Sequence, residues 1–154
     1  MIQELEIPAQ TQTTTQIESV VAALAETWNR HDIAGYAALF SEDADFVNVV
    51  GMHWRGRKEI EACHVRLHET IFRDTKVRCA DWSVRLIRED VALAHISCQM
   101  IGAKGLENWK VPEVRRTEMS LVLVPSARSE HGWSITALHN TEVVPVSMSQ
   151  LDGK

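Results

Sequence analysis

The stretch Glu42–His64, EDADFVNVVGMHWRGRKEIEACH, decides how the rest of the chain is read. Residues 44–50 are dense in β-branched and aromatic side chains and favour a strand. Gly51 and Met52 supply a tight reversal, and His53 to Arg55 a short return strand. Gly56 then opens a helix on which Ile60, Cys63, Leu67 and Ile71 share one stripe. His64 lies on that stripe, four residues after Ile60 and three before Leu67, so an imidazole is aimed inward. One amide, Asn48, stands among apolar strand residues, where it must find a partner or face a cavity.

Upstream, residues 1–14 are polar, hold Pro8 and several threonines, and read as a flexible N-terminal arm. Thr15 and Glu18 have the spacing of a capping box, and Ile17, Val20, Val21, Leu24 and Trp28 form one apolar stripe, which predicts a helix to about Asn29. Asp32 can cap a second, shorter helix whose apolar face is Ile33, Tyr36, Ala37, Leu39 and Phe40.

Downstream the period falls to two. Ala80, Trp82, Val84 and Leu86 alternate with Asp81, Ser83 and Arg85, and Glu89-Asp90 turns this strand into Val91–Ile101, apolar enough to be buried on both faces. A polar connection with two glycines, Trp109 and Pro112 leads to strands over 115–124 and 133–144, and residues 145–154 form a tail. The order is ααββαββββ in one domain over 15–144. It implies an α+β fold in which a curved antiparallel sheet wraps helices as a cone with an internal pocket.

At 154 residues the chain suits a single core. A net charge of −5 with scattered Lys and Arg excludes a nucleic-acid surface. No apolar run is long enough for a membrane span, and residues 1–15 lack the regions of a signal peptide, which points to the cytoplasm. Cys63, Cys79 and Cys98 are odd in number and form no CxxC, so they read as reduced, mostly packed thiols. No P-loop, GxGxxG or nucleophile elbow is present, and no cofactor is expected.

The order of elements, with WNRHDIAGYAALFSEDADFVNVVG, GRKEI followed by His64, DVALAH and the closing W.ITALHNT, resembles the nuclear transport factor 2-like superfamily across residues 16–144. It is most similar to the SnoaL-like and enediyne-cluster-type branch, related to ketosteroid isomerase, limonene epoxide hydrolase and scytalone dehydratase. The resemblance implies the cone fold. It implies function only broadly, because this fold hosts isomerases, cyclases, dehydratases and binding modules. Ketosteroid isomerase works with an Asp base facing a Tyr and a protonated Asp. Alignment to that family puts Asn48 at the base and Leu24 at the oxyanion tyrosine. An amide takes no proton at neutral pH, so isomerase activity does not transfer.

His64 is the candidate catalytic residue, a general acid or base for a bound small molecule. The competing reading is a core histidine hydrogen-bonded to Asn48 or to a backbone carbonyl. Asn48, Trp54, Trp28, His95, Thr117 and His139 are candidate ligand contacts. By the period of two only one of His139 and Asn140 can look into the cavity; if Trp133, Ile135 and Ala137 are inward, His139 joins them and Asn140 lies on the solvent side or at a dimer contact. His64 and His68 are spaced for a shared metal, but no HExxH or third ligand accompanies them, and no metal is assigned.

Three functional readings stand: acid/base chemistry on a small apolar or polyketide-like molecule through His64, a carrier that binds without chemistry, or a dimeric assembly module, which is compatible with either. Apolar side chains on both faces of the last two strands also predict a homodimer.

Overall fold

The computed structural model describes residues 9–152. Its elements are α1 (Ala9–Asn29), α2 (Ile33–Ala37), β1 (Phe40–Val47), β2 (His53–Arg55), α3 (Arg57–Glu69), β3 (Lys76–Arg88), β4 (Val91–Ile101), β5 (Val114–Pro125), β6 (Trp133–Glu142) and α4 (Met148–Leu151). The order is the expected ααββαββββ, followed by one short helix in the tail. No described helix is long and apolar enough to cross a membrane.

α1 starts six residues before the expected Thr15, and the capping box there does not form. Thr14 and Thr15 instead lie inside the helix, where their hydroxyls donate to the carbonyls of Gln10 and Thr11. The stripe Ile17, Val20, Val21, Leu24 and Trp28 is buried as its spacing requires. α2 is capped as expected, with the Asp32 carboxylate accepting from the Gly35 amide at 2.9 Å. Gly56 takes φ +84° to turn β2 into α3, a left-handed conformation that suits glycine.

One six-stranded sheet has the order β2-β1-β6-β5-β4-β3 and leaves β2 and β3 as open edges. β3 to β6 are antiparallel neighbours, but β1 runs parallel to β6. The helices cover one face, against which Phe40, Ala94, Ile96, Leu121, Leu123 and Ile135 are fully buried. Burying each large side chain of this set contributes roughly 1.5–3 kcal/mol.

Irregularities in pairing bend the sheet and reset which residues face in. Between Ala80 and Ser83 the register shifts, and Asp81 adopts φ 51°. Val77 and Cys79 therefore pack inward before the shift, and Val84 and Leu86 after it. Trp82, expected in the same inward series, is 39% exposed. A second shift makes Thr136 an extra residue of β6, between the pairs Leu123↔Ile135 and Val122↔Ala137. β4 is buried on one face only, through Ala92, Ala94, Ile96 and Cys98, which corrects the expectation of two buried faces.

Cys79 and Cys98 are directly opposed in β3 and β4, with Cα atoms 4.2 Å apart, and form a disulfide. The expectation of three reduced thiols is corrected for this pair. Cys63 alone is a free thiol among the described residues, and burial, with Glu59 second, raises its pKa above the ordinary thiol value.

Candidate functional site

Between the helices and the inner sheet face lies a cavity of about 380 Å³. Its helix side is built by Leu24 and Trp28 of α1, Tyr36 of α2 and His64 and Leu67 of α3. Phe46 and Trp54 close one end, and the sheet contributes Cys79, Cys98, Met119, Thr117, Arg115 and Asn140. A turn in which Leu106 and Trp109 exchange backbone hydrogen bonds lays both side chains against the rim.

His64 is 2% exposed and sits among aromatic rings. Ring centroids of Tyr36, Phe46, Trp54 and Trp28 lie 4.8, 5.1, 5.2 and 5.8 Å from its own. Its Nδ1 is 2.7 Å from the Ile60 carbonyl oxygen, an acceptor only, so Nδ1 carries the proton and donates. Nε2 is then left with its lone pair and makes no hydrogen bond to protein among the described residues. Burial lowers the pKa from 6.5 to about 4, against a smaller upward pull from Ile60, so the ring is neutral at neutral pH. A neutral imidazole with a free Nε2 can accept a proton. The same burial raises the pKa of Tyr36, which stays a neutral phenol and a hydrogen-bond donor.

His68 does not join His64 in a metal site. Its Nδ1 lies 2.8 Å from Nδ1 of His31, one nitrogen donating and the other accepting, and its Nε2 is buried without a partner. Burial, then His31 and His64, lowers its pKa to about 4. No group of three or more His, Cys, Asp or Glu among the described residues is placed to hold a metal ion.

Trp28, Trp54 and Thr117 line the cavity together with His64. Trp54 stacks on Phe46 at 5.4 Å, and the Trp28 indole donates to Thr75 Oγ1 at 3.0 Å. Asn48 reaches the rim, but its Oδ1 accepts from the amides of Val50 and Met52 at 3.1 and 2.9 Å. It stabilises the β1–β2 turn, and Ile60 rather than Asn48 orients His64.

His95 and His139 are corrected, because both are exposed on the outer sheet face. β4 turns Ala94 and Ile96 into the core, which sends His95 outward to Ser120, 3.0 Å from its Nδ1. In β6 the extra residue Thr136 reverses the phase, so Leu138 and Asn140 face inward and Ala137 and His139 outward.

Three cavity residues were not singled out from the sequence. Tyr36 was read only as part of an apolar helix face. Arg115 is 2% exposed, and its Nε and Nη2 have no hydrogen-bond partner. It shares the strand phase of Thr117, Met119 and Leu121, a signal that was available in the sequence. Burial lowers the Arg115 pKa and Glu142 raises it. Asn140, the third, has a buried Oδ1 without a partner, and no period of two could place it.

A helix layer on an open, curved six-stranded sheet defines an α+β architecture of the cystatin-like kind, and the comparisons agree with it. The SnoaL-like domain family matches residues 21–120, and the chain belongs to that family. Among curated proteins none matches. An uncharacterized protein with a cystatin-like fold from Caulobacter vibrioides is 29% identical, with 92% of this chain and 96% of that one covered and a TM-score of 0.79. A domain of unknown function with the same fold from Nostoc punctiforme is 28% identical over 92% and 82% of the two chains, with a TM-score of 0.73. A ketosteroid isomerase-like protein from Erwinia carotovora atroseptica shares the fold at 16% identity, 85% and 96% coverage and a TM-score of 0.64.

Proposed function

We propose that this protein binds a mostly apolar, polyketide-like small molecule in its cone and catalyses an isomerisation, cyclisation or dehydration with His64 as proton acceptor. The supporting observation is the His64 ring itself, held in one tautomer by Ile60 and presenting a free Nε2 within an aromatic cavity. Tyr36 is the nearest neutral donor ring and would hydrogen-bond the oxygen on which charge develops. Thr117, Trp28 and Trp54 would contact the ligand, and Asn48 would border its entry.

The test is turnover of a panel of hydroxy, keto and polyketide-like compounds by wild type and His64→Ala. A loss of about 10²–10⁴-fold in kcat/KM is expected for removal of a general base. Unchanged turnover in the variant would sink the role of His64.

The carrier reading has one observation in its favour: a base with a pKa of about 4 is weak, and holding a ligand makes no demand on it. Ligand-induced thermal shifts without turnover across the panel would select it. A homodimer through the outer sheet face is part of either reading, because none of the described helices covers that face. Cytoplasmic location stays an expectation from the sequence, and the Cys79–Cys98 disulfide weighs against a reducing compartment.

A further inference from the structure

A fully buried guanidinium needs acceptors. Arg115 has a Trp109 ring 4.4 Å from its Cζ and the Glu142 carboxylate 3.6 Å from Nε, too far for a hydrogen bond. Trp109 satisfies the face of the cation but none of its N–H groups, and Nε and Nη2 remain unpartnered. Burying a charged donor without an acceptor is strongly unfavourable, and a protein built only for stability would place an apolar side chain there. Asn140, on the neighbouring strand, has an unpartnered buried Oδ1, an acceptor that calls for a donor group on a ligand rather than for its charge. Both line the same cavity as His64, in which nearly every other side chain is apolar.

We infer that Arg115 is the polar anchor of this cavity and that its ligand is an apolar molecule bearing one carboxylate. The anchor rests on the reading of the cone as a small-molecule pocket and adds to it the ligand's charge. A carboxylate accepts two N–H bonds from the planar guanidinium fork, through the unpartnered Nε and Nη2. A phosphate dianion fits poorly, since Arg115 is the only cationic side chain lining the cavity among the described residues and Glu142 already stands beside it. A neutral carbonyl would accept a bond but leave the guanidinium charge without a ligand counterion. The cavity lies in the range of small-molecule sites, roughly 300–1,000 Å³, which suits a bicyclic skeleton.

The probes are 2-naphthoate and its neutral isostere 2-naphthamide, titrated calorimetrically at pH 7.5 into the full chain. Wild type is expected to bind the acid at least about tenfold more tightly than the amide, as hydrogen bonds to a charged group require. Arg115→Met should abolish that preference, with the acid weakened by the larger factor. Arg115→Lys, which keeps the charge without the fork, should reduce the preference, and it serves if the methionine variant does not fold. Equal binding of acid and amide by wild type would overturn the anchor and leave the apolar pocket standing. A preference retained in Arg115→Met would overturn it as well. Failure of both probes to bind would overturn the pocket reading, and the anchor with it.

Discussion

At the scale of single residues, His64 combines two properties that burial alone would set against each other. The ring is stripped of water among aromatic neighbours, which lowers its basicity. One nitrogen is nonetheless kept in use by the Ile60 carbonyl, and the other is left open. The helical period in the sequence was enough to aim this residue inward. Its tautomer was not legible, because Ile60 and Asn48 were equally available as partners until the β1–β2 turn engaged Asn48. Stability should carry the mark of the two buried imidazoles. His64 and His68 have folded pKa values of about 4 against 6.5 unfolded, so between these limits the unfolded chain binds more protons. Their neutral forms are favoured above pH 6.5, and the associated stability is lost as pH falls from 6.5 toward 4. His64 contributes on the order of 3 kcal/mol across that window, and His68, half-shielded and lowered partly through His31 and His64, contributes less. Urea denaturation at pH 7.5 and pH 5 should show a clear fall in unfolding free energy, smaller in His64→Gln. Equal stability at both values would refute the buried neutral state. If turnover is found, its acid limb should sit near pH 4 rather than 6.5.

At the scale of elements, the strands were legible and their phases were not. A regular period of two predicts which face a residue takes only until an extra residue enters the strand. Thr136 is such a residue, and it exchanges the positions expected for His139 and Asn140. The cysteines show the same effect. A plain hairpin about Glu89-Asp90 would set Cys98 opposite Asp81 and Cys79 opposite Met100. Two one-residue irregularities in β3, near Ala80–Ser83 and Leu86–Arg88, bring the sulfurs together. Neither irregularity carries a glycine or proline to announce it. Alkylation with iodoacetamide in denaturant without reductant should therefore modify Cys63 alone, and labelling of all three cysteines would remove the disulfide. Replacing the pair, as Cys79→Ala with Cys98→Ala, should lower stability by at most about 3 kcal/mol, since the short turn already limits the entropy that a loop of this length confers.

At the scale of the whole molecule, the order of elements sufficed for the architecture, because two helices before the first strand and four long strands at the end leave few ways to bury one face of a sheet. The parallel contact of β1 with β6 was not legible, since it joins strands far apart in sequence. That contact completes the outer face and sets a row across six strands: Arg85, Leu93, Val122, Ala137, Asp45 and Arg55. The three residues between Arg85 and Asp45 are apolar, half-buried and uncovered by any described helix, and they are flanked by Arg85 on one side and Asp45 on the other. A twofold axis near Val122 would lay the apolar centre on itself and set Arg85 against Asp45 of the partner subunit, a self-complementary arrangement suited to the proposed homodimer. Sedimentation velocity at micromolar concentration should give a dimer for wild type. Val122→Arg places two like charges at the axis and should give a monomer with an unchanged far-UV spectrum, because its side chain lies outside the core. A wild-type chain that sediments as a monomer would end the dimer proposal. A Val122→Arg dimer would move the interface to another surface.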